Sequence, residues 1–264
     1  MPRAPATSTL ATERRWLEGL HRRYHHPRFI TPDPLEFVHR YDEPDDREVV
    51  GLIASALAYG NVTAMRPAIG RVLDPLGARP AATIAAWTPR RVRRTYAGFR
   101  YRFTDADTLG GLLVAARRVR RTRGSLDACL ATHATPTDDD AFAALGGLVD
   151  ELHAAAGAPL PHLIPHPRGG SACKRLCLWL RWMVRCDAVD PGGWTGVAPS
   201  QLVMPLDTHV FQIAQRRGWT RRRTPNGAAA LEVTTHLRRL CPRDPLRYDF
   251  AITRPGIRRE PADI

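Results

Sequence analysis

Residues 169–184 read Gly169-Gly170-Ser171-Ala172-Cys173-Lys174, then RLCLWLRWMV. A glycine pair followed by Ser171 predicts a tight turn and a helix start, with Ser171 as the N-cap and Ala172, Cys173 and Lys174 as the first three helical residues. Leu176, Trp179, Leu180 and Met183 recur at helical spacing and mark the buried side. Lys174 therefore sits in the first turn of a helix, directly after a glycine turn.

Lys174 is also the one lysine among 39 basic Lys and Arg residues. Arginine serves a solvated or phosphate-binding surface at least as well as lysine. It cannot, however, supply a neutral amine at physiological pH. A single retained lysine therefore points to a task that needs an amine nucleophile. The N–H groups of a glycine turn and helix start can grip a phosphate, and the positive end of the helix dipole disfavours an ammonium.

Working outward, the chain is predicted to be helical almost throughout. Leucines and Trp16 lie among arginines over 10–25. Asp33-Pro34 opens a helix through LEFVHRY. Asp45 or Asp46 is expected to cap REVVGLIASALAYG, whose centre is apolar on nearly all sides and so predicts a buried central helix ended by Gly60. Asn61 caps the next helix, which contains Pro67. Residues 105–123 repeat apolar positions every three to four residues, and Asp138, Asp139 and Asp140 open a helix running to about His153. No segment alternates for long with period two, so no sheet is expected. The Pro- and Gly-rich stretch 157–170 reads as a loop. The expected organisation is a lead and first helix over 1–25, one two-lobed domain over 26–257 with loop 157–170 leading into the hairpin, and a tail at 258–264.

The totals restrict the function classes. A chain of 264 residues with 44% hydrophobic composition can bury a sizeable core. No apolar run is long enough to cross a membrane, and the N-terminal segment lacks the apolar stretch of a signal peptide. The formal net charge is +13, with arginines clustered at 90–94, 117–123 and 221–223. That excess predicts a polyanionic partner. Five cysteines at these spacings fit neither a disulfide framework nor a zinc or iron–sulfur pattern, so they are expected in the core, with no metal and no cofactor. The loop pair His162 and His166 is read as surface residues.

A second segment, Pro205-Leu206-Asp207-Thr208-His209-Val210-Phe211, lies 33 residues beyond Lys174. Asp207 is an N-cap by position. A carboxylate at the mouth of a cleft can also handle an amine's protons or steady positive charge on a sugar.

Glycine hairpin, helix-borne lysine and LDTHVF together resemble the helix-hairpin-helix DNA glycosylases, the superfamily of endonuclease III and the 8-oxoguanine glycosylases. The spacing is most similar to that of the divergent archaeal 8-oxoguanine glycosylases. DREVVGLIASALAYG, GSACKRLCLWLRWMV, PLDTHVF and DPLRYDFAI together resemble the DUF2400 family over about residues 25–257. The resemblance implies an all-α, two-lobed helical fold with a helix-hairpin-helix and a cleft between lobes. It implies a base-excision-type glycosylase acting on damaged or abasic duplex DNA, with or without a lyase step. Lys174 and Asp207 would be catalytic, and Gly169, Gly170, Ser171, Arg175 and His209 would contact DNA. Asp249 and Phe250 would close the fold against the LDTH helix, with Asp249 as an alternative cleft residue. The protein would work as a cytoplasmic, nucleoid-associated monomer, with RNA a weaker candidate partner. The sequence departs from the superfamily pattern at PRGGSACKRL in the hairpin, at Ala56 and Leu57 where many members carry glutamine, and at Gln212 where arginine is common. The alternative reading is a non-catalytic nucleic-acid-binding module on the same scaffold.

Overall fold

Thirteen α-helices carry the fold in a computed structural model that describes residues 9–258. The expectations for the lead 1–8 and the tail 259–264 lie outside the described residues. In chain order the helices are α1 (Leu10–Tyr24), α2 (Leu35–Val38), α3 (Pro44–Ala56), α4 (Val62–Leu73), α5 (Pro80–Ala86) and α6 (Pro89–Thr95). After a short hairpin, β1 (Arg100–Tyr101) and β2 (Thr104–Asp105), come α7 (Ala106–Arg123), α8 (Leu126–Ala131) and α9 (Phe142–Ala156). The last four are α10 (Lys174–Val184), α11 (Thr208–Arg216), α12 (Gly227–Leu240) and α13 (Asp249–Arg258). No described helix is long and apolar enough to cross a membrane.

Local chemistry sets most of these boundaries. Asn61, Asp105, Asp207 and Asn226 accept hydrogen bonds from the backbone N–H groups of α4, α7, α11 and α12. Pro44, Pro80 and Pro89 occupy first helical positions, where no N–H is needed.

The central apolar helix is present as α3. Val49, Val50, Leu52, Ile53, Ala54 and Ala56 are buried on it, and it packs against α10, α2, α5 and α4. At the crossing with α10, a Cβ on Gly51 would lie 2.9 Å from Trp179 Cδ1, so the two helices touch backbone to indole. A second group gathers around α7, which packs against α9, α6, α8 and α5. The outermost described helices meet each other, α1 against α13, and α13 also packs on α11.

Buried arginines tie these helices together. Arg181 on α10 pairs with Asp190 and Asp249, and Arg185 pairs with Asp190, Asp187 and Asp244. Burial alone would lower the Arg181 pKa, but Asp190, Asp249 and Asp33 hold it protonated and raise it. Part of the arginine content is therefore internal and charge-paired. In the 117–123 cluster, Arg117 and Arg118 donate to the carbonyls of Ala85 and Ala155, Arg120 pairs with Glu48, and Arg123 pairs with Glu151.

Several boundaries differ from expectation. Helix α3 starts at Pro44 with Glu43 as N-cap, because Pro44 fixes the first turn, and Asp46 instead accepts from Ala81 N. Helix α2 is one turn long and stops at Val38, well short of Tyr41. Helix α9 starts at Phe142, with Asp140 accepting from its N–H. The hairpin at 100–105 was not expected; its strands are two residues each, too short to show alternation.

Candidate functional site

Ser171 does not cap α10. Cys173 takes a left-handed backbone conformation (φ 47°), so the chain turns there and the helix begins at Lys174 itself. A non-glycine residue held at positive φ is strained and persists only where its surroundings hold it. Here the Ser171 hydroxyl accepts from Cys173 N, and the Cys173 thiol donates to Pro165 O. Ser171 also bridges to Asn226, and Gly227 N donates to Gly170 O. The glycine turn is thus stapled to the start of α12. Gly169 closes a short 3₁₀ turn, Gly170 follows in the left-handed conformation (φ 75°), and both are exposed with open space around them.

This start brings Lys174 to the N-terminus of α11. Lys174 Nζ lies 3.5 Å from Asp207 Oδ2, and each side chain keeps 34% exposure. Asp207 Oδ1 meanwhile accepts from Val210 N at 2.8 Å, which fixes the carboxylate plane.

Both residues line a cavity of about 400 Å³ with Gly60, Met65, Leu178 and His209. Its deeper wall holds Asp33, Arg181, Asp249 and Arg254. Arg254 donates to Asp33 Oδ2 at 2.7 Å and Arg181 donates to Asp249 Oδ2 at 2.5 Å. Burial would raise Asp33, but the Arg254 charge and the Leu35 N–H outweigh it and keep its pKa low. For Asp249 burial wins, only partly offset by Arg181, and its pKa is raised. The wall is therefore polar but close to charge-balanced. Asp249 performs both duties considered for it: it starts α13 against α11 and it lines the cavity.

His209 points its ring at Gly256 of α13, where a Cβ would fall 2.3 Å from Nε2, and that nitrogen is buried without a hydrogen-bond partner. Arg175 is placed differently from expectation. Its guanidinium donates to the carbonyls of Ala56 and His162 and lies over the Tyr59 ring, 5.1 Å from the centroid. Burial lowers its pKa. Two of its five N–H donors go to these carbonyls, so it clamps the 157–170 loop to the end of α3.

Sequence reasoning missed Asp33 and Arg254 as cavity residues. Asp33 was legible only as a cap, and Arg254 carried no signal because its partner lies 221 residues away. The cysteines are free thiols, with Cys129, Cys173 and Cys177 buried. Cys129, His133 and Glu151 place potential ligand atoms within 4.8 Å of one another. Glu151 also pairs with Arg123, His133 Nε2 lies 3.6 Å from Glu151 Oε1, and burial pushes the Cys129 thiol up to about 11.

The sequence profile of the family described as "Protein of unknown function (DUF2400)" matches residues 33–258, and the chain belongs to that family. No curated protein and no solved structure matches the chain.

Proposed function

We propose that this member of the DUF2400 family binds duplex DNA as a monomer at the nucleoid, extrudes a damaged base into the cavity and cleaves its N-glycosidic bond. The observation that carries this reading is the 3.5 Å approach of Lys174 Nζ to Asp207 Oδ2 in the lining of a cavity of about 400 Å³. An amine nucleophile beside an oriented carboxylate is the arrangement that covalent glycosidic cleavage needs. The helix-hairpin-helix glycosylase type of two-lobed fold is part of the same proposal.

In this reading Asp207 takes a proton from Lys174, and the neutral amine bonds to the sugar C1′. The C1′–N bond breaks, and the base leaves with that electron pair and takes the proton held by Asp207, which returns the carboxylate to its charged form. Opening of the C1′–O4′ bond, with protonation of O4′, leaves a Schiff base on Lys174. Loss of a C2′ proton to solvent water then forms the C2′–C3′ double bond and breaks the C3′–O bond, the phosphate leaving with that electron pair to nick the strand, and water hydrolyses the imine to restore the amine. No cofactor takes part. Positive charge developing on the sugar faces Asp207, whose Oδ1 is already held by Val210 N. Gly169 and Gly170 are exposed beside the start of α10, and since their own N–H groups donate to His166 O and Pro167 O, a phosphate there would meet the first-turn N–H groups of α10 instead.

Borohydride trapping tests the reading. The expected result is a covalent adduct on an abasic or damaged duplex from the wild-type chain and none from Lys174→Gln. Salt-dependent duplex binding without any adduct would instead favour the non-catalytic module on the same scaffold. Tighter binding to structured RNA than to duplex DNA at equal salt would move the partner to RNA.

A further inference from the structure

The described residues leave three large hydrophobic side chains exposed, and Phe103 is by far the most exposed, at 78%. It is the second loop residue of the β1–β2 hairpin, in which Arg100 pairs with Asp105 and Tyr101 with Thr104. The first loop residue, Arg102, is held at φ 51°, a position where two-residue hairpins favour glycine. Arg102 and Cys173 are the two non-glycine residues with positive φ among those described, and each adjoins a cavity-lining residue, Arg102 lying against Gly60 and Cys173 preceding Lys174. A mobile tip would relax such strain, and this tip is braced. Tyr59 Oη donates to Tyr101 O at 2.9 Å and also bonds the Thr104 hydroxyl at 2.8 Å. Tyr101 Oη donates back to Tyr59 O, and Arg71 donates to Arg100 O.

The brace also fixes where the tip stands. The Arg102 guanidinium covers Gly60, which lines the cavity, so closely that a Cβ there would lie 2.2 Å from it. Phe103 meets His162 edge to face with ring centroids 5.4 Å apart, and His162 meets Tyr59 at 5.0 Å. Arg175, the neighbour of Lys174, lies over that same Tyr59 ring. A rigid hairpin thus holds one bare aromatic ring and one arginine at the cavity rim.

We propose that Phe103 is a wedge that enters the base stack next to the cavity and fills the gap left by the extruded nucleotide, while Arg102 contacts the adjacent phosphate. This rests on the reading of the cavity as the seat of that nucleotide. Apolar side chains inserted between base steps unstack them and kink the duplex, which lowers the cost of extrusion. A single projecting ring suits insertion into a stack, and the arginine beside it suits a polyanion.

The probe is a duplex carrying 2-aminopurine opposite a tetrahydrofuran abasic analogue. Wild type should raise the 2-aminopurine fluorescence on binding. Phe103→Ala should lose that rise and bind about tenfold more weakly. Its slope of log affinity against log salt should stay unchanged, because no charge is removed. Phe103→Trp should restore the rise. A Phe103→Ala protein that matches wild type in both fluorescence and affinity overturns the wedge alone and leaves the Lys174 reading to its trapping assay. A wild-type protein that binds this duplex without any rise overturns the wedge. Absence of wild-type binding to duplex DNA removes the wedge and the glycosylase reading together.

Discussion

Asp207 divides its two oxygens between two helices: Oδ1 accepts from Val210 N at 2.8 Å, and Oδ2 lies 3.5 Å from Lys174 Nζ. One carboxylate therefore starts α11 and faces the amine that starts α10. The two duties separate under substitution. Asp207→Asn keeps an acceptor for Val210 N and should hold stability within about 0.5 kcal/mol, while Schiff-base formation falls roughly 10²- to 10⁴-fold. Asp207→Ala should lose the same activity and about 1 kcal/mol of stability as well. Equal trapping rates for wild type and Asp207→Asn, measured in single turnover, would remove Asp207 from the chemistry.

Lys174→Arg should bind duplex within a few fold of wild type, because the charge is kept, yet form borohydride-trapped adduct at least about a thousandfold more slowly. Gel quantification of adduct against time reads this directly. A trapped adduct from Lys174→Arg would place the nucleophile elsewhere.

Arg175→Ala should lower the urea midpoint by an amount equivalent to about 2 kcal/mol, since the carbonyls of Ala56 and His162 lose their shared donor. The salt dependence of DNA binding should not change. A loss of about one charge from that slope would return Arg175 to the phosphate contacts.

Gly51→Ala should destabilise the chain by about 1–3 kcal/mol, because the new methyl meets the Trp179 indole at 2.9 Å between two packed helices. Thermal denaturation checks it. A neutral result would mean that α3 and α10 are not locked at this crossing.

The His21 pKa is pushed down to about 4 from 6.5, first by burial, then by the charges of His25 and Arg247. Because the folded value lies below the unfolded one, the unfolded chain binds a proton that the folded chain refuses between those two pH values. The associated stability is complete above pH 6.5 and is lost as pH falls towards 4. The side chain is only partly buried, so solvent screening reduces the effect to about 1 kcal/mol. His21→Phe, which keeps a ring against His25 and Tyr248, should flatten the urea midpoint across this interval. An unchanged pH profile in the variant would assign the acid limb to other groups.

The parts of this architecture that are local in sequence are legible there. Asn61 and Asp207 announce their helices, and the all-round apolar pattern of 49–56 gives the buried α3. Lys174 and Asp207 stand out by composition and by motif. What escapes depends on backbone or on distance. Nothing in the letters of Ser171-Ala172-Cys173 says that Cys173 adopts positive φ and delays the helix to Lys174. Pro44 takes the first helical position and displaces Asp45 and Asp46 from the cap. Arg175 looks like any exposed basic residue until the carbonyls of Ala56 and His162 are seen to claim it. Two-residue strands leave no periodicity to read, so the Phe103 hairpin is silent.

The cavity wall has a further consequence for how the chain comes into being. Asp249 and Arg254 belong to α13, which is synthesised after every other described helix, and Arg254 closes on Asp33 across 221 residues. Once residue 207 has been translated, Lys174 and Asp207 both exist, but Asp33 and Arg181 still lack the partners contributed by α13. A nascent chain therefore holds the amine before it holds the chamber. A stop codon ahead of residue 249 would release a polypeptide that contains Lys174 and Asp207 but lacks the side chains that α13 contributes to the cavity wall.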